Sequence, residues 1–338
     1  MPGHDIIVVG ASAGGVEALI GIVATLPRKL SAAVFIVLHI PAQSPSLLPT
    51  ILKRFTSLEA IHPEDGAKIE HGYIYVAPPD HHMLIEQGKV RIVRGPKENR
   101  HRPAVDPLFR SAANVYGSRV VGVVLTGARD DGTAGLLAIK RCGGIAVVQD
   151  PSEALYPSMP TSALENVEID YTLPLADIGP LLGRLAREEV QGEGGSPMAD
   201  DMEMGIRQDE VDTTIMNSQA HVGMPSPFSC PECGGVLWEI QDRELLRFRC
   251  RVGHGFSIES MMDEQAEALE SALWVAMKTL QESAELSQRL AQQAEQRGQN
   301  WIARRLEARF RENQQRIALI QRVLLKGETV IDEVKKSK

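Results

Sequence analysis

The run IIVVGASAGGVEAL, residues 6–19, changes character at its midpoint. A β-branched segment over 5–9 reads as a strand, glycines then turn the chain, and 14–26 reads as a helix. The same alternation recurs downstream. AVFIVLHI (33–40) is a second apolar run, ended by Pro41, and 46–55 has helical spacing. Shorter strands are expected at 73–78 and 90–93 around a hairpin at 81–88, with a helix at 106–116. RVVGVVLT (119–126), a helix over 135–141 and a fourth run over 145–149 continue the pattern. Strands that are apolar throughout, rather than at alternate residues, are covered on both faces. Strand–helix alternation of this kind predicts an α/β fold with a doubly wound, mostly parallel sheet.

Three of the turns carry reactive side chains. Ser12 lies at the carboxyl end of the first strand and His39 at that of the second. Asp130 and Asp131, in LTGARDDGTAG (125–135), follow the third strongly apolar run. In an open parallel sheet those ends share one rim, where ligands bind near a switch in strand order. A serine hydroxyl is a weak nucleophile until a histidine takes its proton, and a carboxylate holds that histidine in the useful tautomer. Backbone N–H groups at the two Gly-rich turns can receive a developing oxyanion. Each residue also has an ordinary reading. A serine in a glycine turn caps a helix, a histidine at a strand end packs, and Asp-Asp-Gly makes a solvated turn. GASAGG departs from the dinucleotide fingerprint G-x-G-x-x-G, and the second strand ends in His39 rather than an acid. No Gly-Lys-Ser/Thr ending makes this turn a phosphate loop.

The chain has 338 residues, enough for two domains, with 43% hydrophobic, 24% charged and only 4% aromatic residues. Its cores therefore rest on Ile, Leu, Val and Ala. A formal net charge of −8 argues against nucleic acid or an anionic membrane as the main partner. No apolar run approaches the roughly 20 residues of a spanning helix, and the opening MPGHDIIVVG lacks a signal-peptide layout. A cytoplasmic protein without membrane insertion is expected. Four cysteines in so long a chain make no disulfide scaffold.

GASAGG, VLHI, YVAPPDHHM, RPAVDPLF, LTGARDDGTAG, VVQDP and MPTSA follow one another in that order across residues 5–182. Together these blocks resemble the catalytic domain of the chemotaxis protein-glutamate methylesterase family, the CheB type. The resemblance implies hydrolysis of glutamyl methyl esters on chemoreceptor signalling helices and, in many members, deamidation of receptor glutamines. It implies Ser12 as nucleophile, His39 as general base and Asp131 as the orienting carboxylate. The backbone N–H groups of Ala13 and Ala128 fall where the family's oxyanion donors lie. His81 and His82, in PPDHHM, are read as structural. Ala128 and Arg129 stand where the family usually has Met and Gly. A backbone contact tolerates the first change, and the second bears on substrate preference. The family's usual form is switched on by phosphorylation of a receiver domain ahead of the catalytic one. Here the first catalytic strand starts within ten residues of the beginning, so the resemblance does not by itself carry phospho-aspartate control over to this chain.

Beyond the catalytic domain, assigned to 1–186, the chain turns rich in Asp, Glu, Gly and Met, and 187–225 is read as a flexible acidic linker. A compact module at 226–258 follows. It holds Cys230 and Cys233 on a C-x-x-C knuckle, with Cys250 and His254 closing the set. This spacing matches a tetrahedral Cys3His zinc site with no open position, hence a structural Zn2+, with no cofactor needed for catalysis. VLWEI and LLRFR are expected to pair as a hairpin between the ligand pairs. Lack of a βαβ context weakens a thioredoxin-like reading of C-x-x-C. Arg243, Arg247, Arg249 and Arg251 are read as a solvated hairpin face, and Cys142 as a buried, inert thiol. Over 259–338, apolar residues spaced three and four apart run from Leu269 to Ala291 and from Ile302 to Leu324, with Gly298 between them. They predict an antiparallel helical hairpin with a coiled-coil seam. The hairpin serves as an appendage, a dimerisation element or a docking surface.

The sequence thus predicts a protein-glutamate methylesterase acting on a methylated chemoreceptor or similar signalling protein, with self-association through the hairpin as a further option. The competing reading is a catalytically silent esterase-fold scaffold that binds signalling partners through the zinc module and helical tail.

Overall fold

Every residue of β1 (Ile6–Ala11) is buried, as expected of a strand covered on both faces. It leads into α1 (Gly15–Thr25), β2 (Ala33–Leu38), α2 (Leu48–Leu52), β3 (Glu59–Ile61) and β4 (Tyr73–Val76). A hairpin of β5 (His82–Glu86) and β6 (Lys89–Val93) comes next. The chain returns through α3 (Val105–Tyr116), β7 (Val120–Val124), α4 (Thr133–Arg141), β8 (Ile145–Gln149), α5 (Ser158–Asn166), β9 (Tyr171–Leu173) and α6 (Leu175–Leu185). The computed structural model describes residues 3–190, 223–242 and 245–326. Most of the acidic linker expected at 187–225 lies outside the described residues.

Seven strands form one sheet in the order β3-β4-β2-β1-β7-β8-β9. Every pairing in it is parallel. From β1 the chain builds outward through β2, then restarts on the other side with β7. The strand order therefore reverses at β1, and a crevice opens outside its carboxyl end. Alternate residues of β1 feed two cores. Ile6 and Val8 pack with Phe109 of α3 and Leu136 of α4 on one face. Ile7 and Val9 pack with Leu19 of α1 and Leu182 of α6 on the other. Two-sided covering explains why the strands read as unbroken apolar runs. The edge strands β3 and β9 are only three residues long, too short to show as apolar runs in the sequence. The hairpin expected around 81–88 has its first strand within that segment, since β5 occupies His82–Glu86.

Four antiparallel strands follow: β10 (Met224–Ser229), β11 (Val236–Asp242), β12 (Leu245–Cys250) and β13 (Gly255–Ser257). The expected pairing of the VLWEI and LLRFR stretches is β11 on β12. Leu237, Phe248, Phe256 and Met261 make a small core beside Cys230 and Cys250.

The chain divides into two units, Met1–Met261 and Met262–Lys338. The second consists of most of α7 (Ile258–Gln296) together with α8 (Asn300–Lys326), which turn at Gly298. Ala284, Ser287, Ala291, Asn313 and Ile317 are buried at the predicted seam positions. Asn313 donates to Ser283 Oγ across the seam at 3.0 Å. The expected seam fails at Leu269 toward the start of α7, which is 61% exposed, and at Ile302 beside the turn, which is 41% exposed. Among the described residues, no helix is long and apolar enough to cross a membrane.

Candidate active site

Ser12, His39 and Asp131 meet at the carboxyl edge of the sheet. The ladder hydrogen bonds run one residue past the strands. Ser12 N–H donates to Thr126 O at 3.0 Å and His39 N–H to Ala11 O at 3.2 Å. Two glycines allow the close approach. Gly14 takes a left-handed φ of 72° so that α1 can start directly behind the serine. At Gly127 a Cβ would stand 2.1 Å from Met159 Sδ and 2.9 Å from Ser12 Cβ, so no larger residue fits without displacing them.

His39 Nδ1 lies 3.1 Å from Ser12 Oγ, and its Nε2 lies 2.7 Å from Asp131 Oδ2. Asp131 is buried and fully engaged. Its Oδ2 also accepts from Val105 N–H at 2.7 Å, while Oδ1 accepts from Asn99 Nδ2 at 3.0 Å and Asp106 N–H at 3.2 Å. Two of these donors belong to the first turn of α3, whose N–H groups have no partner within the helix. Burial pushes the Asp131 carboxyl up, but the His39 hydrogen bond and charge, the Val105 N–H and the Asn99 amide outweigh it and hold it at about 2. Asp131 is therefore ionised and only accepts. Whenever the His39 ring is neutral, that fixes its tautomer: Nε2 carries the proton, and Nδ1 presents its lone pair to Ser12.

The structure separates the two aspartates that the sequence left side by side. The hydrogen bond from His39 Nε2 goes to Asp131, not to Asp130. Asp130 Oδ1 accepts from Ser257 Oγ at 2.8 Å, and burial pushes its carboxyl up to about 6. Three further residues surround the relay without having been anticipated. His101 stacks on His39, ring centroids 3.7 Å apart and planes 8° from parallel. Burial and then the neighbouring His39 charge lower it to about 3, so its ring is neutral. Asp106 is raised to about 7 by burial and by the Asp131 charge, and its Oδ1 ties α3 to α4 through Gly132 N–H at 3.0 Å and Gly135 N–H at 2.7 Å. Asn99 spans Asp131 and Asp106, donating to both carboxylates at 3.0 Å. The only sequence signal for Asn99 and His101 is the polar cluster NRH just ahead of RPAVDPLF.

Both ring nitrogens of buried His82 meet backbone, Pro96 O at 2.9 Å and Ala104 N–H at 3.3 Å. It thereby braces the loop that carries Asn99 and His101. His81 Nδ1 meets Pro79 O at 2.9 Å. Cys142 is buried at the end of α4, and burial pushes its thiol up.

The ligand atoms of Cys230, Cys233, Cys250 and His254 all lie within 4.8 Å of one another. Cys233 Sγ is 3.7 Å from Cys250 Sγ, and His254 Nδ1 is 3.7 Å from Cys230 Sγ and 3.5 Å from Cys250 Sγ. A tetrahedral zinc ion with Zn–S bonds of about 2.3 Å has sulfur–sulfur edges of roughly 3.8 Å. The cluster is consistent with zinc in donor set and spacing. The solvated face expected of the module's arginines is found at exposed Arg251 but not at Arg247 or Arg249. Arg249 is buried, and with Arg247 it pairs with Glu98 of the catalytic layer. Arg243 lies outside the described residues.

A serine, a histidine and a carboxylate hydrogen-bonded in series along the carboxyl edge of an open parallel sheet form an arrangement that serine hydrolases use. The chain belongs to the CheB methylesterase family, whose description matches residues 7–182. The crystal structure of the Thermotoga maritima CheB methylesterase catalytic domain superposes with a TM-score of 0.52 at 34% identity, covering 54% of this chain and 98% of that one. A Leptospira interrogans protein, described as a candidate protein-glutamate methylesterase/protein-glutamine glutaminase, is 41% identical over 189 residues, 56% of this chain and 98% of that protein. The protein-glutamate methylesterase/protein-glutamine glutaminase of Pyrococcus abyssi is 37% identical over 201 residues, and there the match spans only 54% of the relative.

Proposed function

We propose that the chain hydrolyses γ-methyl esters of glutamate side chains on a chemoreceptor-type signalling protein, with Ser12, His39 and Asp131 as the catalytic triad. The observation that carries this reading is the continuous relay from Ser12 Oγ to His39 Nδ1 at 3.1 Å and from His39 Nε2 to an ionised Asp131 at 2.7 Å. Ser12 Oγ attacks the ester carbonyl as His39 Nδ1 takes its proton. Asp131 stabilises the imidazolium that results. The tetrahedral oxyanion is received by the N–H groups of Ala13 and Ala128, neither of which donates to another backbone acceptor among the described residues. His39 returns the proton to the departing methoxide, and methanol leaves. Water, deprotonated by the same nitrogen, then frees the glutamate carboxylate. The same attack on a glutamine carboxamide would expel ammonia, the second activity in the relatives' names.

Four cysteine and histidine ligands leave no position for substrate, so zinc in the module would fold it rather than take part in ester cleavage. The reading is tested with the Ser12→Ala variant. Methanol release from a glutamyl-methylated receptor fragment should fall by about 10⁶, the size of effect seen when a triad nucleophile is removed. Turnover near that of the unmodified chain would overturn the assignment. A fluorophosphonate probe should label Ser12, and a folded chain that resists labelling would favour the scaffold reading.

A further inference from the structure

The Cys3His module is seated on the loop that holds the triad aspartate. Its strand β13 runs beside residues 97–99. Asn99 N–H donates to Gly255 O at 2.9 Å, and Gly255 N–H donates to Lys97 O at 3.3 Å. Glu98 is buried against three guanidinium groups. Arg110 of α3 holds it with two bonds of 2.7 Å, while Arg249 at 3.1 Å and Arg247 come from the module. Gly253, between the ligands Cys250 and His254, packs on Pro96 so closely that a Cβ there would lie 2.8 Å from its ring. Lys97 pairs with Glu232 of the knuckle at 2.7 Å.

One side chain carries this docking into the site. Asn99 Oδ1 accepts from Ser257 N–H at 3.0 Å, and its Nδ2 donates to Asp131 Oδ1 at 3.0 Å. The orientation of the amide is settled by its partners, a donor on one side and two carboxylates on the other. Ser257 Oγ also reaches Asp130, next to the triad residue. Asn99 and Arg100 hold left-handed φ values of 47° and 73°, a backbone that persists only where surrounding contacts enforce it. Ser257 stands three residues beyond the ligand His254, so the fold of the metal knuckle fixes where its N–H points.

We propose that the Cys3His module is a metal-dependent clamp on the triad: when folded around its metal it holds Asn99, and through Asn99 it positions Asp131 against His39. Asn99 is a positioning residue here, since it touches neither substrate nor nucleophile. The inference rests on the esterase reading for its kinetic consequence but not for its structural one.

The test uses the full chain, zinc-loaded and zinc-stripped. Stripping should raise amide hydrogen exchange at residues 97–101 by about tenfold or more while β1, β2 and β7 stay protected. In parallel kcat for the methylated receptor fragment should fall about 10- to 100-fold with KM within about twofold, as expected from a catalytic group displaced by roughly an ångström. Returning zinc should restore both. Asn99→Ala, with its zinc retained, should show the same loss of kcat and lose nothing more on stripping, because the two changes cut one connection. Unchanged exchange at 97–101 after stripping would overturn the clamp. So would an Asn99→Ala chain that loses a further tenfold. If the zinc-loaded chain does not hydrolyse the ester at all, the proposed function fails, and exchange at 97–101 alone then decides the clamp.

Discussion

The rim of the parallel sheet and the Cys3His module solve the same problem, holding reactive side chains at fixed separations, by opposite routes. The rim draws on residues 27 and 92 positions apart, joined only because β1 pairs with both β2 and β7. The module draws on ligands spread over 24 positions, close enough for local turns and a bound ion to set the geometry. The sheet has two extensive cores, whereas the module has the six buried residues of one small cluster. Modules that small depend on a metal for folding free energy, about 10–16 kcal/mol in zinc-finger peptides. The lesson is that the reactive rim is robust in its frame and exposed in its details. Its strands are buried in cores of their own, while the loop orienting Asp131 touches the module.

The contrast can be broken first at the rim. Asp131→Asn would set an amide N–H against donors on one side or the other, favouring the wrong His39 tautomer. The expected fall in kcat is about 10⁴, the loss associated with that change in a serine-protease triad, with folding kept. A loss below tenfold would mean that Asp131 does not orient the base. The next effect concerns the frame. Phe109→Ala empties a fully buried position between α3, α4 and the sheet, and should lower the catalytic layer's unfolding free energy by about 3–5 kcal/mol. Zinc content should stay unchanged. A denaturant titration followed alongside zinc release would show whether the two regions come apart separately.

The smallest expected effect sharpens the contact between them. Asp130 in the folded chain is raised to about 6 from an ordinary 3.8, so the folded state binds the extra proton between those values. Its stabilising contribution is full below about 3.8 and is lost as pH rises through about 6. Asp130→Asn cannot ionise and can still accept from Ser257 Oγ. It should therefore match the parent near pH 4 and exceed it by about 1–3 kcal/mol at pH 8 in thermal unfolding. A variant less stable than the parent at pH 8 would show that the charge, not the burial, matters there.

The parts of this molecule legible in its sequence are those whose physics is local. Unbroken apolar runs at β1, β2 and β7 announced two-faced burial, and the residues just past them, Ser12, His39 and the Asp130–Asp131 pair, followed from strand polarity. The cysteine spacing announced its own cluster. Choosing Asp131 over Asp130 needed the family resemblance, because neighbouring residues on a turn diverge only once α3 supplies its N–H groups. Asn99 and His101 left almost no trace, since their place depends on a left-handed backbone rather than on periodicity. The burial of Arg249 against Glu98 was hidden for another reason. The partners are 151 residues apart, and neither flanking sequence differs from a solvated one.

In the tail, the bond from Asn313 to Ser283 puts one amide inside a seam whose other buried residues include Ala284, Ser287, Ala291 and Ile317. Sliding α8 past α7 by a single turn away from Ser287, about 5.4 Å, would pull that amide from its hydroxyl and leave it without that partner. An unmatched buried polar group costs roughly 1–3 kcal/mol. The two helices therefore have one preferred alignment, and the distance from the Gly298 turn to any residue along them is a fixed length, as the graduations are on a ruler.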